Sequence, residues 1–225
     1  MKQARLTHRF LTAPARLLVC LLYLLGTTGP LNADNGKGAT GAKGANKTAE
    51  PSLSSESITP VRPKVRLTTT FGDIDLELYP SQAPATVRHF LDLVDAGYYD
   101  GLIFHRVIAN FMIQAGGYDT QFTYHEGPQP VVNESYNGLR NDRGTIAMAR
   151  ANHPDSANAQ FFINMKDNEH LNALRNRAGY SVFGRVIAGF KNAQRIELVD
   201  TGIAHGMAAV PVTPIEIVKA TRLPK

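Results

Sequence analysis

The sequence predicts a mostly-β domain, a closed or sandwiched antiparallel sheet with two helices, and two observations carry that expectation. Short apolar runs recur from residue 65 almost to the C-terminus, and only two stretches show helical spacing. Val65, Leu67 and Thr69 alternate with Arg66, Thr68 and Thr70, and Ile74, Leu76 and Leu78 alternate with Asp75 and Glu77. Two period-2 runs joined by Gly72-Asp73 predict a β-hairpin with a tight primed turn. The same period puts Asp73, Asp75 and Glu77 on one solvated face, which argues against a catalytic carboxylate set. Ala83-Pro84 then opens a helix in which Val87, Phe90, Leu91 and Val94 form one apolar stripe and Gly97 ends it. Further strands are predicted at Ile103–Ile108, Phe111–Ala115, Thr145–Ala149, Phe161–Met165, Ser181–Val186 and Pro211–Lys219, with a second helix at Phe190–Leu198. Strands and helices do not alternate as a βαβ fold requires, and no internal repeat is visible.

Composition divides the 225 residues into three parts. Lys2, Arg5, Arg9 and Arg16 precede the apolar run Leu17–Leu25, and small or turn-forming residues follow to Ala33. This order predicts a secretory signal peptide over 1–33, and the apolar run is shorter than the ~20 residues a membrane span takes. Residues 34–60, rich in Gly, Ala, Lys and Ser, hold only Leu53 and Ile58 as large aliphatics and read as a flexible tether. The folded domain is expected over 61–225. The formal charge of +5 comes mainly from the leader: without it, 20 Lys+Arg face 19 Asp+Glu, a net charge of +1. No basic stripe suited to nucleic acid remains, and the near-neutral surface suggests a monomer without a stable membrane anchor. The one cysteine, Cys20, lies in the leader, so disulfide and thiol chemistry are excluded from the mature chain.

Other chemistries find little support. The seven histidines lie at 8, 89, 105, 125, 153, 170 and 205 with no metal-ligand spacing. There is no Gly-X-Ser-X-Gly elbow and no glycine-rich phosphate loop. What stands out is the segment from Tyr99 to Gly117, where Arg106 sits inside an otherwise apolar strand. A buried arginine is costly unless it is ion-paired or half-exposed at a functional surface. Downstream, Gln160-Phe161-Phe162-Ile163-Asn164 again sets amides beside aromatics. From these residues alone, Arg106 is either a structural ion-pair partner or a functional group, and Phe111, Met112 and Phe162 are either core or site.

The segments Phe104–Gly117, Gly144–Ala149 and Gln160–Asn164 strongly resemble the cyclophilin family of peptidyl-prolyl cis–trans isomerases, and the resemblance runs over about 61–222. The run Gly138–Arg150 resembles the bacterial, exported branch. The family implies an eight-stranded antiparallel β-barrel capped by two helices, with no cofactor and no metal. By position, Arg106 matches the family's catalytic arginine. Phe111, Met112, Phe162 and Leu171 match its proline pocket, Gln114 and Gln160 its polar contacts, and Ala149 and Arg150 its neighbouring groove. Arg150, His170 and Tyr180 stand where the better-known eukaryotic members have asparagine, tryptophan and histidine. The tryptophan is linked with cyclosporin binding, so weak cyclosporin affinity is expected.

The resemblance raises a geometric difficulty. If Ala109-Asn110 were a two-residue hairpin turn, Arg106 would share a face with Phe111 and Ile113 rather than with Met112 and Gln114, so a bulge or a wider turn is required. Functionally, it implies rotation about X–Pro bonds of unfolded or partly folded polypeptides during the folding of exported proteins. The alternative is a holdase or binding module that uses the same groove without turnover.

Overall fold

Apolar residues alternating along two strands build the first hairpin, β1 (Lys64–Thr69) and β2 (Gly72–Leu78), in a computed structural model that describes residues 62–224. The expected signal peptide and tether lie outside the described residues. Val65, Leu67, Ile74, Leu76 and Leu78 are fully buried on one face. The turn differs from expectation. Thr69 pairs with Gly72, so Thr70 and Phe71 are the central residues, and the positive φ of +109° falls on Gly72, after the turn instead of inside it. The opposite face is solvent-facing, as expected, and its acids are ion-paired. Arg66 makes two hydrogen bonds to Asp75, at 2.7 and 2.8 Å, and reaches Asp73 at 3.1 Å, while Glu77 meets Arg62 at 3.1 Å and Arg185 at 3.6 Å. The Arg66 guanidinium holds the Asp75 carboxyl below its ordinary range. All three acids are therefore structural partners.

Helix α1 (Pro84–Asp95) starts with Pro at its first turn and buries Val87, Phe90, Leu91 and Val94. Its N-terminus has no local side-chain cap. Glu134 supplies one from a distant loop, accepting from the amides of Ala85 and Thr86 at 3.0 and 2.8 Å and from Thr86 Oγ1 at 2.6 Å. A carboxylate there satisfies donors the helix cannot and complements the positive end of its dipole.

The remaining strands are β3 (Leu102–Ile108), β4 (Met112–Asp119), β5 (Thr145–Met148), β6 (Phe161–Asn164) and β7 (Val182–Ala188). Helix α2 (Phe190–Glu197), a hairpin of β8 (Thr201–Ala204) and β9 (Met207–Pro211), and β10 (Ile217–Arg222) complete the chain. The eight-stranded antiparallel sheet has the order β10-β1-β2-β7-β5-β6-β4-β3. Its ends meet through an Ile103–Glu216 bridge and hydrogen bonds of 2.8 Å from Phe104 N to Ile215 O and from Gly101 N to Ile217 O. The sheet thus closes into a barrel with two helices, and closure removes the exposed edges an open sheet would present. The expected single strand Pro211–Lys219 is in fact the end of β9, a loop and the start of β10. Pro214 has no N–H for a ladder, and Val212 N instead bonds Asp200 O at 2.9 Å.

Phe90 plugs the interior from α1, with its ring centroid 5.2 Å from Tyr99, 5.7 Å from Phe161 and 5.1 Å from Phe183. These are the tilted and edge-on geometries that aromatic quadrupoles favour. Phe90→Ala is expected to destabilise the domain by roughly 3–5 kcal/mol in chemical denaturation, because it leaves a cavity among rings that cannot collapse. Leu198→Ala, at a side chain 76% exposed, is expected to change stability by less than ~0.5 kcal/mol.

Candidate active site

The β3–β4 connection decides the site. The turn spans three residues, Ala109, Asn110 and Phe111, and Asn110 takes a positive φ of +54° that asparagine tolerates. Phe111 therefore leaves the strand predicted for it and joins the turn, with its amide bonded to Ile108 O at 3.1 Å. This wider turn sets Ile108 opposite Met112 and Arg106 opposite Gln114. A bulge at His105 then shifts the register, so that Phe104 faces Ala115. Arg106, Met112 and Gln114 consequently project from the outer face, while Val107, Ile113 and Ala115 fill the barrel.

The outer face continues in register. Gln114 lies opposite Phe162, Phe162 opposite Ala147, and Ala147 opposite Val182. Met112, Ala147, Phe162 and Val182 form a second buried apolar cluster, outside the barrel and separate from its core. Phe111 from the turn, Leu171 from a short 3-10 helix (Glu169–Leu171) and Tyr180 from a loop pack against it. A strand buried on both faces reads as a continuous apolar run, which explains Phe161-Phe162-Ile163 and Ile146-Ala147-Met148.

A cavity of about 160 Å³ opens on this cluster, lined by Arg106, Phe111, Met112, Gln114, Ala149, Arg150, Phe162, Leu171 and Tyr180. A neighbouring hollow of about 380 Å³ shares Gln114, Ala149 and Arg150 and adds Gln160, Tyr124, Ser156 and Asn158. Gln114 Nε2 donates to Gln160 Oε1 at 2.8 Å, so the two amides form one polar ridge between the hollows. Tyr124, Ser156 and Asn158 carried no signal in the sequence, because each lies on a loop without periodicity.

Arg106 is not an ion-pair partner. Among the described residues no carboxylate lies within salt-bridge distance, and its one side-chain contact is Nη1 to Met112 Sδ at 3.9 Å. A half-buried guanidinium with uncommitted donors faces an apolar hollow. Arg150 is the opposite. It donates to the carbonyls of Gly179, Ala178 and Ala151 at 3.2, 3.0 and 3.0 Å, and its Cζ lies 4.8 Å from the Tyr180 ring centroid. Its donors staple two loops together and hold Tyr180, which meets Phe162 edge-on at 5.5 Å. His170 does not line the cavity. Its exposed ring stacks on Phe111 at 5.5 Å and 24°, supporting the pocket wall from outside.

His105 is buried, 3% exposed, with its ring 4.9 Å from Tyr118. Its Nδ1 has no partner, and burial pushes its pKa down to about 4. It is therefore neutral at pH 7.

The sequence profile of the family described as "Cyclophilin type peptidyl-prolyl cis-trans isomerase/CLD" matches residues 64–222. A peptidyl-prolyl cis-trans isomerase of Streptomyces antibioticus is 50% identical over 159 residues, covering 69% of this chain and 96% of its own. One from Acinetobacter baylyi is 47% identical over 154 residues, covering 68% and 82%, and isomerase B of Escherichia coli is 42% identical over 156 residues, covering 68% and 95%. A crystal structure of a Cryptosporidium parvum cyclophilin-type isomerase in the presence of the dipeptide Ala-Pro superposes with a TM-score of 0.63 at 31% identity, covering 72% of this chain and 99% of that one. Barrel, groove and sequence thus define one class, an isomerase of X–Pro peptide bonds. The chain belongs to the cyclophilin-type peptidyl-prolyl cis–trans isomerase family.

The buried histidine gives a pH signature. The unfolded chain takes up the His105 proton near pH 6.5, whereas the folded chain resists until about 4. Its contribution of roughly 3 kcal/mol is present above pH 6.5 and lost as the pH falls from 6.5 to 4. Denaturation midpoints of the wild type are expected to fall across that window, and His105→Gln is expected to flatten the slope. An equal slope in the variant contradicts the assignment.

Proposed function

We propose that Arg106 drives the isomerisation electrostatically while the pocket of Phe111, Met112, Phe162, Leu171 and Tyr180 grips the proline ring. The observation that carries this reading is the uncommitted Arg106 guanidinium on the rim of that apolar cavity. Rotation about X–Pro breaks no covalent bond, but it passes a twisted state that loses amide conjugation, behind a barrier of roughly 18–20 kcal/mol. The enzyme has only to bind the twisted state better than either planar one. In that state the prolyl nitrogen regains a lone pair, and Arg106 donates to it. The planar amide offers no such acceptor, so the hydrogen bond is made only where it accelerates the reaction. Gln114 and Gln160 hold the backbone groups on either side of the proline.

The leader, read as a secretory signal, supports a role in folding exported polypeptides in the periplasm of a bacterium, and the near-neutral charge of the rest of the chain supports a monomer. Among the described residues no helix is long and apolar enough to cross a membrane. His170 offers a smaller ring than the tryptophan it replaces, so weak cyclosporin inhibition is expected, and nanomolar inhibition contradicts it.

A protease-coupled assay on an Ala-Pro tetrapeptide tests the proposal. Arg106→Ala is expected to fold normally and to lose about 10²–10³ in kcat/KM, the scale of removing one preorganised donor to a developing lone pair or oxyanion. Near wild-type turnover in that variant overturns the mechanism. A wild type no faster than the thermal rate points instead to a groove that holds proline segments without turning them.

A further inference from the structure

We propose that Asn141, Asn164 and Asn168 are positioning residues for the proline pocket, a buried amide relay that sets the spacing of its walls. The inference rests on the pocket assignment made above. All three are at most 1% exposed and none lines the cavity. Asn168 Nδ2 donates to Phe111 O at 2.8 Å and to Asn164 Oδ1 at 2.7 Å. Asn164 Nδ2 donates to Asn141 Oδ1 at 3.2 Å and to Thr145 Oγ1 at 2.9 Å. Asn141 Nδ2 donates to Leu171 O at 3.2 Å and approaches Tyr180 O at 3.4 Å. One end of the relay therefore holds the main chain of Phe111 and the other the main chains of Leu171 and Tyr180, three residues that line the hollow.

Two features argue that placement, not mere satisfaction, is the purpose. Phe111, Leu171 and Tyr180 stand outside the strands, where single main-chain bonds, Met165 N to Phe111 O and Tyr180 N to Leu171 O, both at 3.0 Å, replace a full ladder and the buried amides add to them. The amides are the buried polar groups that reach all three. Asn168 also leaves its own Oδ1 buried without a partner. An orphaned buried acceptor is costly, and it persists here because both Nδ2 hydrogens are committed to Phe111 O and Asn164 Oδ1. From Asn168 the donations run one way, to Asn164, on to Asn141 and then to Leu171 O, so these bonds polarise one another, while the second Asn168 hydrogen goes the other way to Phe111 O.

The test is a double-mutant cycle on the purified full chain with the Ala-Pro tetrapeptide, read as kcat/KM at a temperature where circular dichroism shows every variant folded. Asn168→Ala is expected to lose roughly ten- to a hundredfold, the scale of misplacing a binding wall by a fraction of an ångström to 1 Å. In a Phe111→Ala background the same substitution is expected to cost less than about twofold, because the wall it positions has gone. Equal losses in both backgrounds, or none in the wild type, overturn the proposal. Unchanged activity in Phe111→Ala alone overturns the pocket assignment instead. Should Asn168→Ala not fold, the wild type decides. Saturation of the 15N-labelled protein with the tetrapeptide is expected to shift the side-chain amide resonances of Asn168 and Asn141, which the peptide cannot touch. Resonances that stay in place overturn the relay.

Discussion

Because side chains alternate along a strand, the number of residues in the Ala109–Phe111 turn decides whether Arg106 faces solvent or core. With three residues there, Arg106 pairs with Gln114 and Ile108 with Met112. A two-residue turn would move the register by one and turn each side chain over, sending the guanidinium's neighbours into the barrel. From that one register a row of residues crosses five strands, Arg106, Gln114, Phe162, Ala147 and Val182. Charge, amide and apolar surface are thereby laid side by side on a wall too well packed to let them drift.

The wall is rigid because it is buried twice. Inside, Ile113, Ile146, Phe161, Ile163 and Phe183 join the core around Phe90. Outside, Met112, Phe162 and Val182 are covered by the loops bearing Phe111, Leu171 and Tyr180. Those segments are tied by a few main-chain bonds, such as Met165 N to Phe111 O and Tyr180 N to Leu171 O, and side chains add the rest: Arg150 stapling 150–152 to 178–179, and the buried asparagines beneath. Catalysis by preferential binding of a twisted amide needs such a support. A donor that moved to follow the substrate would serve the planar and twisted states alike and accelerate nothing.

Much of this was legible in the sequence, for reasons that also explain the gaps. Period-2 and period-3.6 patterns identified β1, β2 and α1, each of which buries one stripe against the core, and short apolar runs identified the strands from 102 to 188. The apolar runs at 146–148 and 161–163 were read as strands, and only the structure shows that they are buried on both faces. The β8–β9 hairpin escaped notice because its turn is His205-Gly206, both at positive φ, where asparagine or aspartate more often precedes glycine. Val210 and Val212 keep apolar period across the end of β9, so β9 and β10 looked like one strand. Phe111 was read as strand because nothing local shows that its amide closes a turn. Arg106 was singled out correctly as anomalous, but only the register showed it unpaired. Arg150 was assigned to the groove by resemblance, and geometry shows its donors already taken by carbonyls.

The central claim is that Arg106 acts on the twisted state and not on binding. Exchange NMR on a 15N-labelled Ala-Pro peptide at saturating protein separates the two, giving the affinity and the on-enzyme isomerisation rate in one experiment. For Arg106→Ala the account predicts an affinity within a few-fold of wild type and an on-enzyme rate lower by about 10²–10³. A variant that binds far more weakly yet still isomerises its bound peptide at the wild-type rate would contradict it.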